Sequence, residues 1–382
     1  MSSPRDSAAG TRTEDRRDDG RTSPEAPDAA VLTRYQPPSL AASMHASLPR
    51  WAGAAAAALG VLVAAALLAV GDVHVAVAVV VGALVGVAAF VVASRVVEGE
   101  RAATDRFVTS LVTLAFVVAL VPLVSVVWTT VSRGLARFDG AFFTQSMYNV
   151  IGEGGGAYHA IMGTLIITGV ATLISVPIGT LTAIYLVEYG GDNRLSKVVT
   201  FLVDVMTGIP SIVAGLFSLA LFTLLLGPGY RLGVMGSVAL SVLMIPIVVR
   251  AVEEMLRIVP ARLRESSYAL GVPKWLTIVK VVLPTAASGI ASGVVIAVAR
   301  VMGETAPLLV TVGLTASTNF NPFEGRMAVL PVFAYYQIIT PGIPPDAFID
   351  RAWTSALVLI LFVMALNVGA RVLARALAPK TR

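Results

Sequence analysis

The sequence predicts an all-α polytopic membrane protein with eight spans, and three observations carry that prediction. The first is composition: of 382 residues, 56% are hydrophobic and only 13% are charged, whereas an ordinary soluble domain carries about 25% charge. The second is patterning, because the apolar residues are gathered into runs of roughly 20, the length a helix needs to cross the hydrocarbon core. The third is that Lys and Arg concentrate on alternate connections between those runs. A chain with a mean hydropathy of +0.82 cannot cover itself with a wettable surface, so lipid is its solvent over much of its area.

Residues 1–50 stand apart. They are rich in Ser, Pro, Asp and Arg, and their seven Arg are offset by seven Asp plus Glu. Such a segment reads as a disordered tail, too nearly neutral for a polybasic lipid anchor. It does not read as a signal peptide, since the first apolar run begins only after Arg50. The runs that follow are Ala52–Val70, Val73–Ala93, Phe107–Val131, Ile161–Leu186, Val198–Leu226, Leu232–Val249, Ala286–Val312 and Trp353–Leu373. The first two are separated only by Gly71-Asp72 and its neighbours, which predicts a tight helical hairpin. Gly82-x-x-x-Gly86 within it either allows close helix contact or is a chance spacing in a Gly-rich span. Three parts result: the tail 1–50, the hairpin and linker 51–106, and a six-helix core 107–382 with a long polar loop at 250–285.

Orientation follows from charge. Segments on the side of the tail hold 22 Lys plus Arg and those on the other side hold 5; without the tail the comparison is still 15 against 5. Both termini are therefore expected on the cytoplasmic side. The net charge of +5 is thus topological, and a nucleic-acid partner has nothing left to explain. With no cysteine, disulfides and thiolate metal sites are excluded, and His45, His74 and His159 are too dispersed to form a ligand cluster. The longer outer loops, Ser132–Ala160 and Gly313–Arg351, carry Phe138, Phe142, Phe143, Tyr148, Phe333, Tyr335 and Tyr336. These aromatics suit either interfacial packing or contact with an external partner.

In the loop 250–285, Pro260 suits a helix start, Gly271 its C-terminal cap, and Pro273 the opening of a second short helix. Pro284 is expected to begin the seventh span. That span contains Arg300, fourteen residues in and so about 21 Å deep, with Glu304 four residues on and expected on the same helix face. Pro307 is expected to break the helix just beyond. A charge at such depth normally faces a polar interior. A guanidinium fork suits an oxyanion, but an Arg–Glu pair that merely neutralises itself inside a bundle is the competing reading. Asp204 could line a path or sit at the interface, and Tyr268 could dock on a partner or pack within the loop. No Gly-x-x-x-x-Gly-Lys-Ser/Thr loop is present to cradle a nucleotide. The run Gly152–Gly156 lies on the outer side, away from ATP.

Two sets of motifs carry a family resemblance. Glu265-Ser266-Ser267, then Gly271, then Val281-x-Leu283-Pro284 resembles the Glu-Ala-Ala signature of ABC importer permeases, with serines replacing the alanines and Val281 the isoleucine. The resemblance implies that Glu265, Ser266, Ser267, Gly271, Leu283 and Pro284 form the loop that docks on an ATPase subunit. Ala299-Arg300-x-x-Gly303-Glu304-Thr305-Ala306-Pro307-Leu308-Leu309 resembles phosphate-specific importer permeases of the PstA and PstC type. Thr207–Phe217, Pro246–Arg250 and Glu253–Leu256 are similar to the PstA branch. By that resemblance Arg300, Glu304 and Arg250 belong to the path of inorganic phosphate, although for Arg250 simple positive-inside placement remains open. It also implies a homologous PstC-type permease partner, two ATPase subunits carrying ATP and Mg, and an extracytoplasmic phosphate-binding protein. The chain itself is then no enzyme and holds no cofactor. The alternatives are another oxyanion such as sulfate or molybdate as cargo, or an ATP-independent secondary transporter. The first two spans are an addition to the six-span pattern.

Overall fold

The computed structural model describes residues 47–71 and 73–377. Most of the tail, including His45, therefore lies outside the described residues, as do Asp72 of the hairpin turn and the last five residues. The described residues are helical throughout their ordered elements. Seven helices are long and apolar enough to cross a membrane, and eight crossings result if one sharply bent helix pair is counted as a span. The chain divides into two compact units at Val121/Pro122.

The first unit holds α1 (Ala52–Val70) and α2 (Val75–Val97) and the start of α3 (Glu100–Gly134). The two hairpin helices pack backbone to backbone through small residues. A Cβ on Gly60 would lie 2.6 Å from the Gly82 carbonyl oxygen, and one on Gly86 would lie 2.8 Å from that of Ala56. The Gly82–Gly86 spacing is thus used for close contact, as apolar helices in lipid require when no hydrophobic effect drives them together. Val61, Leu62, Val80 and Leu84 are exposed on the outer faces.

At the end of α2, Glu98 accepts hydrogen bonds from the Leu48 amide (2.8 Å) and the Ser94 hydroxyl (2.7 Å), with Arg106 at 3.5 Å. The Leu48 bond, then Ser94 and Arg106, hold its carboxyl below the usual carboxylate range. A folded pKa below the unfolded one stabilises the ionised form, so the tie is lost only as pH falls through the lowered value. The difference in thermal stability between wild type and Glu98→Gln is expected to be constant from about pH 8 to about pH 5 and to vanish at more acid pH. A difference that persisted unchanged at about pH 3 would show that the carboxylate is not what holds Leu48.

The second unit contains the remainder of α3 and α4 (Gly140–Thr144), α5 (Tyr158–Ile184) continuing into a π-helical turn Tyr185–Gly190, α6 (Arg194–Thr207), α7 (Ser211–Leu226) and α8 (Gly233–Ile258). Then come α9 (Ala261–Ala269), α10 (Lys274–Thr277), a second π-helical turn Ile278–Val282, α11 (Leu283–Met302), α12 (Ala306–Thr311), α13 (Leu330–Ile339) and α14 (Pro345–Leu377). Its core forms where α5 meets α8: Ile167, Ala171, Leu240, Met244 and Val248 are fully buried. Two serines of α8 bond across to α5 backbone, Ser237 Oγ to Ile167 O (3.1 Å) and Ser241 Oγ to Ala171 O (3.4 Å). Helix α11 approaches α8 equally closely, since a Cβ on Gly293 would fall 2.7 Å from that of Ala251.

Three expectations are corrected. The expected span Val198–Leu226 is two helices, α6 and α7, meeting at 108°. Pro210 has no N–H to continue α6, its ring disfavours helical geometry at Ile209, and Gly208 offers no side chain to resist the turn. The expected seventh span Ala286–Val312 begins earlier and ends sooner. A single helical stretch of 29 residues runs Lys274–Met302, passing through Pro284 because the preceding π-helical turn opens the ladder where the ring would clash. It stops at Gly303, so the break precedes Pro307. That proline lies in the first turn of α12, where a missing N–H costs nothing.

Candidate functional site

Arg300 occupies the last turn of α11, beyond which the chain leaves helical geometry through Gly303, Glu304 and Thr305. Its neighbours on the helix, Ala297 and Val301, are buried in the core, while Arg300 itself is exposed. Glu304 is half-buried and lies in the break, so the two do not share a helix face as the spacing suggested. Among the described residues no ion pair or hydrogen bond joins Arg300 to Glu304 or to any other carboxylate. The self-neutralising pair is therefore absent from this conformation. Among the described residues its donors meet no acceptor.

The two most distinctive sequence stretches meet here. Gly215 of α7 lies against Pro307 at the start of α12; a Cβ at that glycine would be 2.6 Å from the proline Cα. Ser218 then bonds to Met235 O of α8 at 2.7 Å. The segment Thr207–Phe217 thus buttresses the break that carries Glu304, and the requirement for glycine at 215 is steric.

Arg250 is in different company. In α8 it pairs with Asp204 of α6 and with Glu253 (2.8 Å), and Glu253 in turn accepts from Arg257 (2.7 Å). Two carboxylates thus occupy the Arg250 fork, and Asp204 serves to bind α6 to α8.

The loop expected at 250–285 is shorter in the structure, because α8 runs on to Ile258 and the helix from Lys274 continues into α11, but its first helix and cap form where the sequence indicates. Helix α9 follows Pro260 and ends in a Schellman cap: the Gly271 amide bonds Tyr268 O (2.9 Å) and the Val272 amide bonds Ser267 O (3.2 Å), with Gly271 at φ +75°, a conformation other residues resist. Ser267 is buried and shares a hydrogen bond with Thr277 of α10 (2.8 Å), which clamps the two short helices together. Glu265, Ser266, Gly271 and Pro284 are exposed, whereas Leu283 packs against the core. Leu263, Tyr268, Leu270 and Trp275 are exposed beside them. Tyr268 is thus no buried loop aromatic. An apolar patch at the polar end of a helix bundle has the character of a protein-binding surface.

Sequence reasoning passed over what anchors this loop. Arg264 donates twice to Glu188 Oε1, from Nε (3.0 Å) and Nη2 (2.8 Å), and also to Val259 O (2.7 Å) and Leu256 O (2.9 Å) at the end of α8. Glu188 and Tyr189 belong to the π-helical turn after α5, and the Lys274 ammonium lies 4.9 Å from the Tyr189 ring centre. Glu188 stood at the end of an apolar run with no motif to mark it.

At the opposite end of the unit, Arg351 is completely buried. It donates to Gln337 Oε1 (3.1 Å) and to the carbonyls of Gly152 (2.9 Å) and Gly154 (3.0 Å), and stacks on Phe348 at 4.4 Å. Arg137 donates to Gly155 O (2.8 Å). The glycine run is therefore a receptor for arginines of the protein itself. Phe142 and Phe333 are buried in a small cluster with Ile161 and Leu330, so part of the outer aromatic set is packing. His159 is buried edge-on to Phe333, 5.3 Å between ring centres, and His74 caps α2. Among the described residues no group of acidic or histidine side chains could hold a metal ion.

Residues 175–382 match the family model described as binding-protein-dependent transport system inner membrane component. The chain is 49% identical over 271 residues to the "Phosphate transport system permease protein PstA 1" of Mycobacterium tuberculosis, covering 70% of this chain and 85% of that one. It is 47% identical over 258 residues to PstA of Mycobacterium leprae, with 66% and 83% covered. The PstA of Pasteurella multocida is 37% identical over 265 residues, with 69% and 92% covered. A permease-type loop at the end of α8, a broken helix bearing a free arginine, and relatives aligned over most of their own lengths place this chain in the binding-protein-dependent transport system inner membrane component family, in its PstA branch.

Proposed function

We propose that this chain is the membrane-spanning permease subunit of an ATP-driven importer of inorganic phosphate. The observation that carries the reading is Arg300. It is an exposed guanidinium with no carboxylate partner among the described residues, at a helix break buttressed by the Gly215–Pro307 contact. A planar fork of charged donors suits a tetrahedral oxyanion. Glu304, in the break that follows it, supplies a carboxylate that weakens the hold on an anion and can accept a hydrogen bond from the hydroxyl of a protonated phosphate.

In this reading the chain pairs with a homologous PstC-type permease, and each contributes part of the charged lining. Two ATPase subunits carrying ATP and Mg bind from the cytoplasm at Glu265, Ser266 and the exposed Leu270 and Trp275, with the buried Ser267 and the Gly271 cap shaping the loop that they grip. An extracytoplasmic binding protein delivers phosphate to the outer segments. Both termini lie in the cytoplasm, in keeping with the Lys and Arg distribution. The exposed Val, Leu and Phe of the spans face bilayer lipid. Arg250 acts on the path only in a conformation that releases it from Asp204 and Glu253.

The test is ATP hydrolysis by the reconstituted complex with binding protein present. Phosphate is expected to stimulate it, whereas sulfate and molybdate are not. Equal stimulation by sulfate would move the cargo to another oxyanion. Phosphate movement by the purified chain with no ATPase present would overturn the importer reading itself.

A further inference from the structure

Two cations of the loop after α8 land on one turn of a helix far away in sequence. Arg264 of α9 grips Glu188, and Lys274 of α10 covers the ring of Tyr189. Both acceptors belong to the π-helical turn Tyr185–Gly190, where α5 widens by a residue before it ends. The Arg264–Glu188 pair is well shielded, with side-chain exposures of 17% and 5%, so water screens it little. Arg264 also holds the last carbonyls of α8. One guanidinium therefore joins the loop, α8 and α5 at a single point.

The loop is connected covalently only to α8 and to the helix that becomes α11. A displacement of α9 would reach those two directly, but α5 only through space. Helix α5 forms the core with α8 and runs the height of the unit. A π-helical turn is a soft element, since its wide ring packs poorly and such turns recur at functional sites. A turn of this kind, held at two adjacent residues by two cations of the loop, is placed to follow the loop as it moves.

We infer that Glu188 and Tyr189 are coupling residues: they pass displacement of the Glu265 loop to α5, as a second route beside the covalent one through α8 and α11. The inference rests on the importer reading above. Glu188 and Arg264 touch no substrate in it; they position α5.

The experiment uses the whole complex in proteoliposomes, with binding protein outside, and reads phosphate taken up per ATP hydrolysed. For Glu188→Gln and for Arg264→Gln this ratio is expected to fall by about tenfold, within the range of measured coupling free energies. Arg264→Lys, which keeps a donating cation opposite Glu188 and the carbonyls of Leu256 and Val259, is expected to keep more of the ratio than Arg264→Gln, and the ratio is read at equal amounts of assembled complex so that a loss of packing alone would not lower it. The gentler Tyr189→Leu leaves the ion pair intact and is expected to lower the ratio about two- to threefold. It decides the matter if the charge variants do not assemble. Wild-type ratios in all assembled variants overturn the inference, as does an Arg264→Lys variant no better than Arg264→Gln. A wild-type complex whose ATPase ignores phosphate instead overturns the importer reading, and so the two failures are distinguishable.

Discussion

Replacing Arg300 by alanine is expected to stop phosphate uptake while leaving the complex assembled. The side chain is exposed and makes no ion pair or hydrogen bond among the described residues, so its removal leaves no partner stranded. The stability cost is therefore that of an ordinary surface change, within about 0.5 kcal/mol. The transport cost is large. A hydrogen bond to a charged group contributes about 1.5–3 kcal/mol, and a fork presenting two of them to one oxyanion supplies enough to change a rate by more than about a hundredfold. Arg300→Lys keeps the charge and loses the fork, and is expected to retain a minor fraction of uptake. The measurement is radiolabelled phosphate uptake in cells, with levels of permease and ATPase in the membrane confirmed. Unchanged uptake in Arg300→Ala at normal levels would remove this residue from the path.

That result would separate Arg300 from Arg250, and the structure reverses what the spacing suggested about their partners: the sequence set a carboxylate four residues from Arg300 and left Arg250 open to simple positive-inside placement, yet Arg250 is the one held by carboxylates. Asp204 and Arg250 are 46 positions apart, on α6 and α8, and no local pattern in the sequence links them.

The same contrast runs through the fold. The apolar runs were readable because they rest on a local quantity, hydrophobicity over a window. In the loop after α8 the start at Pro260 and the Gly271 cap were readable, since caps and prolines act within a turn of their own position, whereas the helix from Lys274 through Pro284 was not. What escaped were the long-range partners. Glu188 and Arg264 are separated by 76 positions, and no periodicity links them. The break at Gly303 escaped for a subtler reason: a proline in the first turn of a helix looks, in sequence, like one that ends a helix. The motif around Arg300 was found, but its geometry was not, since a helical i,i+4 pair and a helix end followed by a loop share the same letters.

Arg351 is where the next large effect is expected, and in stability rather than transport. The charge count treated it as one of five equivalent outer arginines. In the structure it is fully buried and holds Gln337, Gly152 and Gly154, so that it fixes the glycine run of one outer segment to the base of α14 and the end of α13. Arg351→Met would leave an amide oxygen and two backbone carbonyls without donors in a buried place. Each such orphan costs about 1–3 kcal/mol; part is offset because the buried Nη2 of Arg351 itself has no partner among the described residues, and a net loss of about 2–3 kcal/mol is expected. Arg351→Lys should recover only part, because one ammonium cannot span acceptors arranged for a fork and cannot stack on Phe348 as a planar group does. Arg326, by contrast, is exposed, and Arg326→Ala is expected to change stability by less than about 0.5 kcal/mol. Thermal unfolding of the purified complex, together with the amount of permease in the membrane, checks all three variants. Equal stability of the Arg351 and Arg326 variants would mean that the outer segments are held by the Phe142–Phe333 cluster alone, with the buried guanidinium a passenger.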